Sequence, residues 1–253
     1  MNIDHHLPTA IVAAEEACKV ILDVYNSGDF QAEAKGDNSP LTIADRKAHG
    51  VISVILEATN LPVLSEEGKT IPYEERSKWE YFWMVDPLDG TKEFIKRNGE
   101  FTVNIALIHA GKPVLGVVAV PVTGELFFAS ENNGAFKRHN GKDTALPRRD
   151  AVNLSAPALR VVASRSHLNQ ETTDFIDQLV QPVLVSQGSS LKFMLMAEGK
   201  ADVYPRYAPT MEWDTAAAHA IVSEVGLKVL QADSKEQLVY NKPDLLNPFF
   251  IVL

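Results

Sequence analysis

Three things are scarce in this sequence of 253 residues: cysteine, positive charge and long apolar runs. Cys18 is the single cysteine, so an internal disulfide is excluded and a reducing compartment is favoured. No run approaches the roughly 18 apolar residues of a membrane-spanning helix, and the first residues lack the pattern of a secretory signal. We therefore expect a cytoplasmic protein without an integral membrane segment, and leave open a peripheral contact with the cytoplasmic face of the inner membrane.

Acidic residues outnumber basic residues in the chain as a whole. The chain has 24 Lys and Arg against 33 Asp and Glu, which gives a formal net charge of −9. A global basic surface for nucleic acid is therefore absent, and we predict no nucleic-acid partner. A phosphorylated ligand would need local cations or metal ions. The composition gives no indication of an oligomeric state.

The chain divides into two regions with different orders of predicted helices and strands. Its hydrophobic share of 45% can supply a substantial core. Helical periodicity over residues 8–25 and 42–59 is followed by short strands with glycine turns, which is typical of an antiparallel meander. Later strands and helices alternate, as they do in α/β folds. We predict an N-terminal α+β region, residues 1–150, and a C-terminal α/β region, residues 151–253.

The stretch MVDPLDGTKEF places two aspartates at the end of an apolar strand. Pro87 has no amide hydrogen and is expected to stop the strand, so that the Leu88 carbonyl points away from the ladder. Asp89 or Thr91 could cap the helix that follows, whose free amides could hold an anion. Asp86 is placed to bridge two cations, although an ordinary Asp turn would explain an isolated motif of this kind.

Other acidic positions bear on the choice between a turn and a site. Glu66 and Glu67 follow a short apolar strand, where two acids are costly unless a cation or solvent takes the charge. Asp214 opens a helix, where a plain N-cap is the simple alternative. Asp45 lies in the first turn of a predicted helix, an ordinary place for an acid. Each alternative is adequate singly, but the combination is specific.

The combined motifs resemble the inositol-monophosphatase-like family of Mg²⁺-dependent, lithium-sensitive phosphatases. Its D-P-[LI]-D-G-[TS] motif matches residues 86–91, and its W-D-x-A-[AG] motif matches residues 213–217. The stretches DNSPLTIAD, VLSEEG, SRSH, GSSLKF and AEGKADVYPR resemble the CysQ-type 3′(2′),5′-bisphosphate nucleotidases in particular. The resemblance covers nearly the full length. It implies a layered αβαβα sandwich, with the meander sheet in the N-terminal half and α/β structure in the C-terminal half.

The same resemblance implies a cofactor of two or three Mg²⁺ ions and the residues that hold them. The metal ligands would be Glu66, Asp86, Asp89, Asp214 and the Leu88 carbonyl, with Asp86 shared between ions. Glu66, by way of water, would help hold a third ion, and it is counted with the catalytic residues.

The resemblance also implies how the phosphate is attacked. Asp45 and Thr91 would orient and deprotonate the attacking water, while the amides of Gly90 and Thr91 would hold the scissile phosphate. The residues expected to border the substrate are Glu66, Leu88, Asp89, Gly90, Thr91, Ser189, Lys192, Arg206 and Asp214.

Substrate choice depends on a second phosphate. Where inositol monophosphatases carry a glutamate seven residues before the W-D aspartate, this chain has Tyr207, beside Arg206. The planar Arg206 fork matches phosphate oxygens, and Lys192 adds a cation near the helix start that contains Ser189. A solvated Lys192 and a surface ion pair for Arg206 are the alternatives. His167 either faces the nucleotide or is an ordinary loop histidine.

We therefore predict a phosphatase that converts adenosine 3′,5′-bisphosphate to AMP and phosphate. It should also act on 3′-phosphoadenylyl sulfate, in the context of sulfate assimilation. An inositol or sugar monophosphatase is the alternative among enzymes, and Arg206 in place of an acid argues against it. A non-catalytic nucleotide-binding regulatory protein is the alternative of another class. The presence of every implied metal carboxylate argues against that one.

Overall fold

The computed structural model describes residues 3–34, 40–163 and 168–253. After a 3₁₀ turn at Ile3–His6, its helices are α1 Leu7–Ser27, α2 Ile43–Glu57, α3 Tyr73–Arg76, α4 Thr91–Ile95, α5 Gln170–Ile176, α6 Leu191–Ala197 and α7 Glu212–Glu224. Its strands are β1 Glu33–Ala34, β2 Pro40–Leu41, β3 Val63–Ser65, β4 Tyr81–Asp89, β5 Thr102–His109, β6 Lys112–Val120, β7 Glu125–Ser130, β8 Ala135–His139, β9 Lys142–Ala145, β10 Arg160–Val162, β11 Val183–Val185, β12 Tyr204–Arg206, β13 Val229–Gln231 and β14 Phe250–Val252.

The first two long helices begin and end where the sequence predicts. Gly28 follows α1 with a φ of 74°, a left-handed conformation that glycine adopts without steric cost. Thr42 caps α2, and its side chain forms a capping box with Asp45. The helices predicted over residues 8–25 and 42–59 are confirmed to within two residues at each end.

A seven-stranded sheet forms the centre of the molecule, in the order β3-β4-β5-β6-β7-β8-β9. From β4 onward each strand pairs antiparallel with the next, which confirms the predicted meander. β3 instead pairs parallel with β4. The carboxyl ends of these two strands therefore lie side by side at one edge of the sheet.

The remaining elements complete five layers. Buried residues of α1 and α2 pack on one face of the large sheet. Those of α6 and α7 fill the space between its other face and the three-stranded sheet β12-β14-β13. α5 lies on the outer face of the small sheet. The predicted αβαβα sandwich is confirmed, and β10 and β11 form a further parallel pair.

Close contact between α7 and the large sheet depends on one glycine. A Cβ atom at Gly116, in β6, would lie 2.1 Å from the Ala217 carbonyl oxygen and 2.9 Å from the Ala220 Cβ. Only glycine allows the helix backbone to approach the strand this closely. The contact fixes α7 over the sheet, and with it the direction of the helix N-terminus.

The large sheet ends at Ala145, and later strands build the smaller sheets, while α7 returns to the large one. The division near residue 150 stays a prediction. Among the described residues, no helix combines the length and the apolar character needed to cross a bilayer.

Candidate active site

The aspartate motif forms a bulge in β4 and does not end it. β4 pairs with β5 through Asp86, skips Pro87 and Leu88, and pairs again at Asp89. The expectation that Pro87 stops the strand is therefore wrong. The missing amide hydrogen of Pro87 interrupts the ladder, and the strand resumes after the bulge. The Leu88 amide turns inward and donates to Asp86 Oδ1 at 3.0 Å.

Three carboxylates from separate elements meet beside this bulge. The parallel pairing of β3 with β4 sets Glu66 next to Asp86, and the N-terminus of α7 brings in Asp214. One ligand oxygen of each lies within 4.8 Å of the others. Burial raises the pKa of Asp86 well above its usual range, and the charges of Glu66, Asp89 and Asp214 raise it further. The charge of Arg206 only partly opposes the raised pKa of Asp214, so negative charge accumulates here, as a cation site requires.

Asp214 is the third residue of α7, not its N-cap. Its Oδ2 accepts from the Met211 amide at 2.9 Å, which satisfies one of the free amide groups at the helix start. Desolvation and then the charge of Asp89 raise the pKa of Asp214. The side chain thus has two roles: it fixes the helix start and it belongs to the carboxylate cluster.

Asp89 is held by residues from elsewhere in the chain. Its Oδ2 accepts from the Ser190 amide at 2.6 Å, the Ser190 hydroxyl at 2.8 Å and Asn104 Nδ2 at 3.5 Å. Asn104 also donates to the Ser190 hydroxyl at 2.8 Å. The expectation that Asp89 or Thr91 caps α4 is wrong, because Gly90 is the N-cap and no side chain caps it.

Asn104 and Ser190 are site residues that the sequence does not predict. The local signal for Ser190 is its place in GSSLKF, next to the predicted Ser189. No local pattern distinguishes Asn104 within an apolar strand; its pairing opposite Asp86 follows from the β4–β5 register.

Asp45 and Thr91 meet beside the bulge, as the resemblance implies. The Thr91 hydroxyl lies 3.2 Å from Asp45 Oδ1 and 3.3 Å from the Leu88 carbonyl. Asp45 Oδ2 accepts from the Thr42 amide at 2.7 Å and the Thr42 hydroxyl at 2.5 Å. Burial raises the pKa of Asp45, although the bonds from Thr42 oppose the shift. One carboxylate oxygen is thus held in place while the other faces Thr91.

A cavity of about 400 Å³ opens beside the carboxylates. Asp89, Gly90 and Asp214 line it together with Ser189, Lys192 and Arg206. The structure therefore brings these six of the residues expected to bind substrate to one cavity. Glu66, Leu88 and Thr91 lie at the adjoining bulge.

Lys192 and Arg206, two cationic side chains of this cavity, make few hydrogen bonds to the protein. Lys192 is buried, its Nζ donates to the Ser189 carbonyl at 3.1 Å, and desolvation together with the charge of Arg206 lowers its pKa to about 8. Arg206 donates one bond, to the Pro209 carbonyl at 3.2 Å. Its buried Nε and the buried Ser189 hydroxyl have no hydrogen-bond partner among the described residues. An anion in the cavity would satisfy these groups.

Two further residues bear on substrate choice. Tyr207 does not line the cavity; its ring packs against Phe175 and Phe249 behind the small sheet. The position occupied by a glutamate in inositol monophosphatases thus contributes packing here. His167 lies outside the described residues.

The far side of the cavity was not foreseen from the sequence. It is formed by α4 and the loop after it, through Glu93, Lys96, Asn98 and Glu100. These residues follow the aspartate motif directly, and the helix predicted after the motif was the one available signal.

Comparison with known proteins agrees with this geometry. The family model described as "Inositol monophosphatase family" matches residues 2–248. The chain is 47% identical over 242 residues to a 3′(2′),5′-bisphosphate nucleotidase CysQ of Salmonella typhimurium, covering 94% of this chain and 96% of that protein. The crystal structure of CysQ from Bacteroides thetaiotaomicron superimposes with a TM-score of 0.87 at 51% identity, covering 98% of this chain and 96% of that one. A Thermotoga maritima IMPase shares the fold, with a TM-score of 0.79 at 23% identity over 98% and 91% of the two chains.

Proposed function

Because the chain belongs to the inositol monophosphatase family, we propose that it is a Mg²⁺-dependent phosphatase acting on nucleotide bisphosphates. It removes the 3′-phosphate of adenosine 3′,5′-bisphosphate, giving AMP and phosphate, and also acts on 3′-phosphoadenylyl sulfate. A nearly full-length relative named as a 3′(2′),5′-bisphosphate nucleotidase CysQ, at 47% identity, supports this choice within the family, and so does a solved CysQ structure at 51% identity. The metabolic context we propose is sulfate assimilation.

The donor set of the carboxylate cluster fits Mg²⁺. Asp86, Asp89 and Asp214 each use one carboxylate oxygen to accept from a protein donor. Within the described part of the chain, the second oxygen of each accepts no hydrogen bond and is available to a cation. Glu66 and the Leu88 carbonyl add further oxygen ligands at the same bulge. We propose that these five groups hold two or three ions, because oxygen donors of this kind are the ligands that Mg²⁺ prefers.

Bound metal ions would stabilise the negative charge that develops on the transferred phosphoryl group and lower the pKa of a bound water. The protein groups beside them perform the proton transfer. The Thr91 hydroxyl directs its proton to Asp45 Oδ1 and accepts a hydrogen bond from the attacking water. As the bond from the water oxygen to phosphorus forms, the water's proton passes through Thr91 to Asp45, whose raised pKa suits a general base. The bond from phosphorus to the 3′-oxygen breaks, and that oxygen takes up a proton from solvent water to become the ribose hydroxyl.

The second phosphate is the feature that separates this substrate from a monophosphate. Lys192, Arg206 and Ser189 present donors into the cavity, and two of those donors have no partner among the described residues. A second phosphate would accept from all three side chains.

The observation that carries the proposal is the grouping of Glu66, Asp86 and Asp214 beside the Asp45–Thr91 pair. It is tested by phosphate release from adenosine 3′,5′-bisphosphate, its sulfated form, inositol phosphate and fructose bisphosphate, with and without Mg²⁺. We expect Mg²⁺-dependent release that is fastest with the two nucleotides. Equal or faster release from inositol phosphate would favour a sugar monophosphatase, and no release from any substrate would favour a non-catalytic binding protein.

Asp86→Asn is the matched substitution for the metal ligands. It keeps the side-chain size and the oxygen that accepts from the Leu88 amide, but it removes the central charge of the cluster. We expect turnover at about 1 mM Mg²⁺ to fall by a factor of 100 or more, as losses of catalytic metal ligation do, with an unchanged circular dichroism spectrum. Phosphate release near the wild-type rate would contradict the metal assignment.

A further inference from the structure

A hydrogen-bonded chain of buried polar side chains joins Thr215 and His219 of α7 to Tyr240, which lies between β13 and β14. His219, Tyr240 and Thr215 are 2%, 3% and 1% exposed. The Tyr240 hydroxyl lies 2.9 Å from His219 Nδ1 and 3.2 Å from Thr215 Oγ1. These polar groups sit among apolar residues and take no part in the proposed reaction. Burying them is costly unless all of them remain hydrogen-bonded, so the geometry of the chain is tightly determined.

The direction of the hydrogen bonds follows from the histidine. Burial lowers the pKa of His219 to about 4, so the imidazole is neutral at pH 7. In the tautomer protonated at Nε2, which a hydrogen bond from His219 to Gln237 would favour, the unprotonated Nδ1 accepts the phenol proton of Tyr240. The Thr215 hydroxyl then points its own proton to the phenol oxygen or to the Glu212 carbonyl, 3.1 Å away.

At its active-site end, this chain of hydrogen-bonded side chains reaches the residues on both sides of the predicted metal ligand Asp214. Thr215 follows it in sequence and lines the 400 Å³ cavity. Asn247 Nδ2 donates to the Thr215 hydroxyl at 3.1 Å and to the Met211 carbonyl at 2.8 Å. The Met211 amide in turn donates to Asp214 Oδ2. The residues on both sides of Asp214 are thus tied to the same buried hydrogen bonds.

We propose that Tyr240 and His219 are positioning residues for Asp214. They fix the first turns of α7 so that the Asp214 carboxylate keeps its place beside Glu66 and Asp86. This inference rests on the proposed function, because it takes Asp214 to be a metal ligand. Neither residue touches substrate or the reacting atoms; each acts through Thr215 and the backbone of α7. Partners of metal ligands that hold them in orientation are known to change metal affinity when they are removed.

The test is Tyr240→Phe, which removes one oxygen and keeps the ring. It leaves Thr215 and His219 without their shared partner, so we expect the dissociation constant for Mg²⁺, measured by calorimetry on the metal-free protein, to rise about tenfold. The Mg²⁺ concentration for half-maximal phosphate release should rise by a similar factor, while KM at saturating Mg²⁺ stays near the wild-type value. Tyr81→Phe is the control, since Tyr81 lies at the far end of β4 and stacks on His109.

Substitutions of the histidine keep the inference testable if Tyr240→Phe folds poorly. His219→Asn places an oxygen acceptor near the position of Nδ1 and should restore most of the Mg²⁺ affinity, whereas His219→Leu should not. A merely structural role predicts a lower melting temperature for Tyr240→Phe with wild-type Mg²⁺ affinity, and that result would overturn the inference. Wild-type protein that releases no phosphate with Mg²⁺ would instead overturn the proposed function, whatever the variants do.

Discussion

Replacing Arg206 with alanine separates recognition of the second phosphate from catalysis. The guanidinium lines the cavity, donates one bond to the Pro209 carbonyl and has a buried Nε without a partner among the described residues. A charge-assisted hydrogen bond to phosphate contributes about 1.5–3 kcal/mol. That energy corresponds to roughly a 10- to 150-fold loss of kcat/KM for adenosine 3′,5′-bisphosphate.

Removing Arg206 also increases the protonation of Lys192, but this compensating effect is small. The charge of Arg206 contributes to the lowered pKa of Lys192, so its removal lets Lys192 hold its proton more firmly. With a pKa of about 8, roughly three quarters of Lys192 is already protonated at pH 7.5. Complete protonation would increase the charged fraction by a factor of only about 1.3. The loss of the direct contact therefore dominates.

The assay compares two substrates that carry the same scissile phosphate. Adenosine 3′,5′-bisphosphate has the second phosphate and adenosine 3′-monophosphate does not, so kcat/KM for the monophosphate should change by less than about threefold. Arg148→Ala is the control, because Arg148 is exposed and does not line the cavity. Equal losses with both substrates would refute the reasoning, since they would make Arg206 important for the reacting phosphate or for folding.

Two further predictions follow from Lys192 and from the glycines. The pKa of Lys192 in the folded protein is below its usual 10.5, so Lys192 without bound substrate loses its proton above about pH 8, and KM for the bisphosphate should rise there. In Lys192→Arg the side chain stays charged, so this rise in KM should be absent. An equal rise in the variant would argue against a contact between Lys192 and the substrate. Gly116→Ala places a methyl 2.1 Å from the Ala217 carbonyl oxygen and should lower the free energy of unfolding by about 3 kcal/mol or more, measured by denaturant titration. Gly50 is exposed on α2, and a Cβ there would have no neighbour within 4 Å, so Gly50→Ala should raise the free energy of unfolding by about 1 kcal/mol. Similar changes in the two glycine variants would contradict the packing argument.

The acids of the site could be predicted because each lies at the end or the start of an element that the sequence marks locally. Glu66 follows an apolar run, Asp86 ends another, and Asp214 begins a helix of small residues. What no local pattern contains is the parallel pairing of β3 with β4, which sets Glu66 beside Asp86. The resemblance to a known family supplied that proximity before the structure did.

Contacts between residues far apart in the sequence account for the site residues that the sequence does not predict. Ser190 holds Asp89 although 101 residues separate them, and Asn104 joins the pair only through the register of two strands. For a related reason, the sequence predicts a strand end at Pro87 where the structure has a bulge. Pro87 removes a ladder hydrogen bond in any context, but whether the strand ends or resumes depends on whether Thr102 on β5 is placed to pair with Asp89.

The charge distribution of the cavity reconciles an acidic protein with a substrate that carries two phosphates. The cavity is lined by Asp89 and Asp214, which can meet a phosphate only through cations, and by Lys192 and Arg206, which can meet a phosphate directly. Desolvation and then the charge of Arg206 lower the pKa of Lys192, so the two cations repel each other in the cavity. A second phosphate would offset this repulsion, and a monophosphate would not. Preference for two phosphates therefore follows from relief of repulsion as well as from new hydrogen bonds, and the net charge of −9 sets no limit on it.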